Sequence, residues 1–235
     1  RKSLIQMSYE AGCSVKGIDA VYVVTDDNRI RHAAEAFGAK VIMTSKNCKN
    51  GTERCSEALS RSSLEAELVV NLQGDAPLTP PWFIEELINT MKTDINADIT
   101  TPVLEMDQKT YAHFCEDRKS NRVGGTTVVF DHKKQALYFS KEVIPFLQIE
   151  KLSGAKNIPV YHHVGVYAYR PAALKAYAEW TESPLEQLEG LEQLRFLENG
   201  YKIKCTKVEL KGRLFWELNN PEDIERIQKA LRQMK

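Results

Sequence analysis

Residues 21–43, VYVVTDDNRIRHAAEAFGAKVIM, decide the class of fold. Val21 to Val24 is a short apolar run with no polar alternation, the pattern of a strand covered on both faces, as in a parallel sheet. Asn28 to Phe37 follows with Ile30, Ala33, Ala34 and Phe37 spaced along one helical face. Asp26 or Asp27 supplies the helix cap and Gly38 the stop. Lys40 to Met43 then resumes as a strand. A strand, a helix and a strand in so few residues form the unit of a parallel α/β sheet with right-handed crossovers.

The same alternation continues outward. Lys2 to Gly12 reads as a helix through Leu4, Ile5, Met7 and Ala11. A second helix covers about Glu53 to Ser60, and Leu68 to Leu72 is a buried strand that runs into Gln73-Gly74-Asp75. Pro80 and Pro81 open a helix over Trp82 to Met91, because a first helical turn has no use for the missing amide. The pattern then becomes strand-rich: Asp98 to Val103, Thr126 to Asp131, Ala136 to Phe139 and His163 to Tyr169, with one helical stretch at Gln108 to Cys115. The polar turn Asp131 to Gln135 predicts a hairpin. Gln148 to Pro159 is a long polar loop, mobile or functional. Helices return at Pro171 to Trp180 and at Pro184 to Asn199, the latter with a core face of Leu188, Leu191, Leu194 or Phe196, and Leu197, and a stop at Gly200. A strand at Lys202 to Leu210 follows. The closing helix begins at Asn220-Pro221-Glu222-Asp223 with a side-chain cap, a proline in the first turn and two acids at the positive end of the dipole. The expectation is a mostly parallel central sheet with helices on both faces: a single domain of residues 1–235 with a smaller β-rich subdomain inserted at about 104–170.

A chain of 235 residues buries enough surface to fold without disulfide or metal. Lys plus Arg and Asp plus Glu are both 32, so no global field attracts nucleic acid or an anionic membrane, and any polyanion must be held by a local cluster. With 43% hydrophobic and 27% charged residues the composition is that of a globular protein. No apolar run approaches a membrane span and no leader opens the chain, so the cytoplasm is expected. The first residue is Arg1 rather than Met, and a segment upstream of it is expected. The five cysteines (13, 48, 55, 115 and 205) are odd in number, scattered and without CxxC spacing, which predicts reduced structural thiols.

Four features bear on chemistry. Gln73-Gly74-Asp75 follows a buried strand directly, and ligands of open α/β sheets bind at strand C-termini. Asp75 is placed there to hold a magnesium ion, or else it is an ordinary turn or capping aspartate. Cys48 to Arg54, CKNGTER, is a glycine-containing loop leading into a helix, which offers amides and a positive dipole end to an anion, although it lacks the P-loop pattern. His162 and His163 are neighbours on one strand, face opposite ways and cannot share a metal. Glu192 and Gln193 sit in an amphipathic helix and read equally well as surface residues. No GxGxxG, HExxH or Ser-His-Asp order is present.

Taken in order, KSLIQMSYE (2–10), VVTDD (23–27), GTER (51–54), VNLQGDAP (70–77), ALYFSK (136–141), HVGVYAY (163–169), SPLEQLEGLEQLRFL (183–197) and NPED (220–223) resemble the 3-deoxy-manno-octulosonate cytidylyltransferase family, the CMP-Kdo synthetases. The resemblance covers nearly the whole chain. It implies a Rossmann-like nucleotidyltransferase that transfers CMP from CTP to an acidic eight-carbon sugar for lipopolysaccharide synthesis, releasing pyrophosphate. It also implies a homodimer, with the inserted subdomain serving sugar binding and dimerisation. By position, Thr52, Arg54 and Gln73 would contact the nucleotide and Asp75 would coordinate Mg2+. Lys141, standing where the family has an arginine, would form the sugar pocket with His163, Tyr167, Glu192 and Gln193. A sugar carboxylate calls for a cation, and phosphoryl transfer calls for positioning and charge neutralisation more than a covalent catalyst.

The chain departs from the family at three places. The basic nucleotide loop of the form PARxxSxRxPGKPL precedes the first matched segment and has no counterpart in this sequence. The second metal aspartate aligns with Asn219. The lysine expected after NxV is out of register at Asn121-Arg122-Val123-Gly124-Gly125. A sialate-type cytidylyltransferase and a non-catalytic sugar- or nucleotide-binding relative are the competing readings. The retained QGD, GTER and LEQLR favour the enzyme.

Overall fold

The computed structural model describes residues 2–123, 125–148, 157–213 and 215. In chain order the elements are α1 (Leu4–Cys13), β1 (Tyr22–Thr25), α2 (Asn28–Ala36), β2 (Lys40–Met43), α3 (Gly51–Ser62), β3 (Val69–Leu72), α4 (Pro81–Thr93) and β4 (Ile99–Asp107). There follow α5 (Gln108–Lys119), β5 (Thr126–Phe130), β6 (Ala136–Ser140), β7 (Asn157–His163), β8 (Val166–Tyr169), α6 (Pro171–Glu179), α7 (Pro184–Glu189), α8 (Leu194–Glu198) and β9 (Ile203–Lys207). The chain divides into two compact units, the first made of Arg1–Thr100 with Gly165–Thr181 and the second of Thr101–Val164 with Glu182–Lys235.

In the first unit, helix starts are written locally. The Ser3 hydroxyl accepts from Gln6 N at 3.3 Å and caps α1, and Asp27 accepts from Arg29 N at 2.7 Å and caps α2. Asp27, not Asp26, is therefore the cap. β1 and β2 pair in parallel from Tyr22↔Lys40 to Thr25↔Met43, with α2 as the crossover. The core beneath is Val23, Ala34 and Ala39, packed by Ile5, Tyr9, Phe37 and Val41. α4 starts at Pro81 and buries Phe83, Ile84, Leu87, Ile88 and Met91.

The mostly parallel sheet expected from the sequence is not what forms. β3 pairs antiparallel with β8, and Ile99 and Thr100 of β4 also run antiparallel to β8. In the second unit the remainder of β4 pairs with β7, β7 with β5 and β5 with β6, all antiparallel. An apolar run reports that both faces of a strand are covered; it carries no information on direction. β8, with all four residues buried, is such a strand in an antiparallel ladder.

Two other expectations change. The single strand over His163–Tyr169 is two, since β7 ends at His163 and β8 begins at Val166, and β7 takes up residues 157–159 of the expected loop. The single helix over Pro184–Asn199 is broken at Gly190, whose φ of +61° lies in the left-handed region that glycine adopts without cost. The break resets the helical phase. Leu188 is 82% exposed rather than in the core, while Leu191 and Leu194 are buried. The hairpin at Asp131–Gln135 forms as β5–β6, with the Asp131 carboxylate accepting from Lys133 N and Gln135 N at 2.8 Å each. The helix expected from Asn220 and the loop at 149–156 lie outside the described residues. Among the described residues, no helix is long and apolar enough to cross a membrane.

The second unit is packed around Met106, Phe114, Ile158 and Val160. Gly125 is held between two of its rings: a Cβ there would stand 2.7 Å from Phe114 Cζ and 2.9 Å from His162 Nε2. Neither ring is a flexible chain end, so the strand would have to move. Gly125→Ala is expected to destabilise the protein by about 1–3 kcal/mol, the usual range for overpacking, and a urea-unfolding midpoint unchanged from wild type would contradict this packing.

Candidate active site

Five of the residues expected to act lie in the first unit, where the first turn of α3 and the end of β3 carry four of them. Asn50 caps α3 by accepting from Glu53 N at 2.9 Å, and the Glu53 carboxylate returns to Lys49 N at 2.7 Å, so the CKNGTER segment is fixed as a tight helix entry. Thr52 is buried and turned inward, its Oγ1 2.8 Å from the Tyr169 hydroxyl. Arg54 spans the strand ends. Its guanidinium pairs with Asp26 at 3.0 Å and donates to Thr44 Oγ1 at 2.7 Å, to Cys48 O at 3.3 Å and to Ser45 O at 3.5 Å. Arg54 thereby links the C-terminal ends of β1 and β2 to the loop that opens α3.

Glu57, one turn further along α3, completes that loop. It accepts from Ser45 N at 2.7 Å, Ser45 Oγ at 2.8 Å and Cys48 Sγ at 3.0 Å. The Cys48 bond, with those from Ser45, holds the Glu57 carboxyl down to about 2. Burial and the Glu57 charge push the Cys48 thiol up, which suits a structural thiol rather than a nucleophile. All five cysteines are unpaired by disulfide.

Gln73-Gly74-Asp75 makes the turn after β3. The Gly74 carbonyl accepts from Ser8 Oγ at 3.3 Å, which ties the turn to α1. Asp75 is exposed, yet the surrounding turn removes enough water to push its carboxyl up. Tyr167 is buried in β8 opposite Asn71 and stacks on Tyr169 with ring centroids 5.7 Å apart. Asn71 carries a buried Nδ2 with no hydrogen-bond partner among the described residues, and this Nδ2 lies 2.8 Å from the Cβ position of Gly51. A lone amide inside the apolar run VVNL was the sequence signal for that residue. For the Asp26–Arg54 pair there was none, because the two are 28 positions apart and nothing local couples them. A cavity of about 750 Å³ lies between α3 and α6, lined by Cys48, Ser56, Glu57 and Lys175 among others, and none of the expected site residues lines it.

The second unit holds Lys141, His163, Glu192 and Gln193. Lys141 leaves β6 with its main-chain N–H donating to Glu189 Oε2 at 2.9 Å. Glu192 and Gln193 occupy the link between α7 and α8. Both flanking helices are fixed by a buried, bidentate ion pair, Arg195 Nε and Nη2 to Glu186 at 2.6 and 2.7 Å. Gln193 is only 2% exposed, and its Nε2 has no hydrogen-bond partner among the described residues. His163 is buried against Phe139, with Nε2 3.0 Å from Thr101 Oγ1, while His162 faces Phe114 and Phe215. Asn219 lies outside the described residues.

Burial pushes His162 down to about 4, and burial with the neighbouring His162 pushes His163 down to about 3. Both are therefore neutral in the folded protein at physiological pH, and His163 can offer a ligand a neutral hydrogen bond but no charge. The unfolded chain protonates both near the ordinary value of about 6.5. Stability is thus complete above that pH and declines as pH falls toward 4 and 3, by up to about 1.4 kcal/mol per pH unit for each histidine. Urea midpoints are expected to drop between pH 7.5 and pH 5.0, and to drop less in His162→Phe/His163→Gln. Equal drops in both proteins would rule out this source of acid sensitivity.

Known proteins supply a comparison for this geometry. The family model described as cytidylyltransferase matches residues 1–203. The 3-deoxy-manno-octulosonate cytidylyltransferase of Maricaulis maris is 39% identical over 225 residues, 96% of this chain and 85% of the relative. The 8-amino-3,8-dideoxy-manno-octulosonate cytidylyltransferase of Shewanella pealeana is 41% identical over 225 residues, 95% of this chain and 85% of the relative. Among solved structures, a CMP:2-keto-3-deoxy-manno-octonic acid synthetase complexed with CTP superposes with a TM-score of 0.82 at 32% identity, covering 99% of this chain and 88% of the other.

Proposed function

The chain belongs to the 3-deoxy-manno-octulosonate cytidylyltransferase family, and from that premise we propose that it transfers CMP from CTP to a 3-deoxy-octulosonate-type acidic sugar in lipopolysaccharide synthesis. It has the α/β nucleotidyltransferase fold of that family. In the reaction the anomeric hydroxyl oxygen of the sugar bonds to the α-phosphorus of CTP, the bond from that phosphorus to the bridging oxygen breaks, and pyrophosphate leaves while the hydroxyl proton passes to solvent. Such a transfer is driven by alignment and by neutralising charge on the phosphates.

The observation that carries the reading is Asp75: an exposed carboxylate at the turn after β3, one residue from Gly74 and two from Gln73, with no ion-pair partner among the described residues. Magnesium takes one or two carboxylates and completes its shell with water and substrate phosphates. The described residues contain no cluster of three metal-binding side chains, and a lone, partly desolvated carboxylate fits a metal that arrives with the nucleotide. Asp75 would hold a Mg2+ ion there, and the chemistry such an ion supplies is neutralisation of charge on the triphosphate and on the departing pyrophosphate. Asn219, in the second metal position of the family, would contribute a neutral oxygen and one charge fewer. Thr52, Arg54 and Gln73 serve the nucleotide, Thr52 and Arg54 from an α3 entry held by their bonds to Tyr169 and Asp26. Lys141 takes the sugar carboxylate, Glu192 and Gln193 its hydroxyls, and His163 and Tyr167 act as neutral groups.

The Shewanella relative, named for an 8-amino sugar, adds that sugar as a second candidate substrate. We place the activity in the cytoplasm and in a homodimer, for which the exposed Leu137, Phe146 and Leu188 of the second unit offer apolar surface.

Pyrophosphate release from CTP, Mg2+ and 3-deoxy-manno-octulosonate is expected, with the 8-amino sugar assayed in parallel. Release with neither sugar would refute the reading. Asp75→Ala is expected to lower kcat/KM by more than about tenfold, or about 1.4 kcal/mol of barrier, and a smaller loss would remove Asp75 from the metal site. Lys141→Ala is expected to raise KM for the sugar acid while KM for CTP stays near wild type; the reverse pattern would assign Lys141 to the nucleotide.

A further inference from the structure

The end of β6 is anchored by one carboxylate. Glu189 Oε1 accepts from Ser140 Oγ at 2.7 Å and from Tyr138 Oη at 3.3 Å, and Oε2 accepts from the Lys141 main-chain N–H at 2.9 Å. Glu189 is the last residue of α7 and Gly190 follows at φ +61°. The Lys141 ammonium stands over that glycine, 2.8 Å from the place a Cβ would occupy. No hydrogen bond or ion pair reaches the ammonium from the described residues.

A lysine is a point charge on a flexible stem, and each freely rotating bond costs entropy when a ligand immobilises it. With the main chain fixed at one end, the missing Cβ of Gly190 at the other sets where the charge can rest before a ligand arrives. Glu189 already serves three donors with its oxygens, and no ion pair joins them to the ammonium among the described residues. It therefore holds the lysine in place without being the lysine's counter-ion.

We propose that Glu189 is a positioning residue for Lys141 and that Gly190 provides the space in which the ammonium waits for the substrate carboxylate. This rests on the reading of Lys141 as the cation for the sugar acid. The plain alternative is a carboxylate that only staples α7 to β6.

The test is steady-state kinetics in the full-length enzyme with CTP and 3-deoxy-manno-octulosonate, on wild type, Lys141→Ala, Glu189→Gln, their double substitution and Gly190→Asn, with melting temperatures measured on each. Glu189→Gln is expected to raise the sugar KM about tenfold and to leave the CTP KM within about twofold. In the Lys141→Ala background the same change is expected to add less than about twofold, since the group it positions is gone. Asparagine tolerates the left-handed region and adds a Cβ, so Gly190→Asn is expected to raise the sugar KM while leaving all three Glu189 bonds intact. That variant decides the matter if Glu189→Gln does not fold. Equal rises in both KM values, or full additivity with Lys141→Ala, would overturn positioning and leave a staple. If Lys141→Ala raises the sugar KM but neither Glu189→Gln nor Gly190→Asn does, positioning alone falls. If Lys141→Ala leaves it unchanged, the assignment of Lys141 falls and this proposal with it.

Discussion

Carboxylates that accept from loop backbones and neighbouring hydroxyls or thiols are the device on which both groups of candidate residues depend. Glu57 gathers the loop after β2 through Ser45 and Cys48, and Glu189 gathers the end of β6 through Tyr138, Ser140 and Lys141. A buried N–H without a partner is costly, and loops have no ladder to supply one. One ionised carboxylate can satisfy two or three donors with short, charge-assisted bonds. At Glu57 the bonds from Cys48 and Ser45 lower the carboxyl below its ordinary value. Loops that would otherwise sample many conformations are fixed relative to the helices α3 and α7.

The candidate residues differ in how far their own bonds engage them. Thr52 and His163 are buried and already bonded, to Tyr169 and Thr101, and Arg54 is engaged by Asp26 and three further acceptors. These bonds fix the side chains in place. Asp75 and Lys141 stand apart, because each presents a charge with no ion pair among the described residues. The buried Glu186–Arg195 pair belongs with the supports. Removing one partner of such a pair is strongly unfavourable, whereas the intact pair chiefly fixes geometry, here that of the link carrying Glu192 and Gln193.

Most of the local structure, and the family, were legible in the sequence by itself. The cap at Asp26 or Asp27, the proline starts of α4, α6 and α7, the hairpin turn at Asp131 and the order of QGD, GTER and LEQLR all depend on residues within a few positions of one another, where hydrogen bonds and helical or strand periodicity act directly. The tertiary structure alone decided the rest. Strand direction, the division of 163–169 between β7 and β8 and the capture of Arg54 by Asp26 are set by partners far along the chain. An apolar run is the same string in a parallel and an antiparallel ladder, and a charged side chain is the same letter whether it meets solvent or a distant carboxylate. Which one it meets is determined only when the chain closes its loops and the buried donors and acceptors find one another.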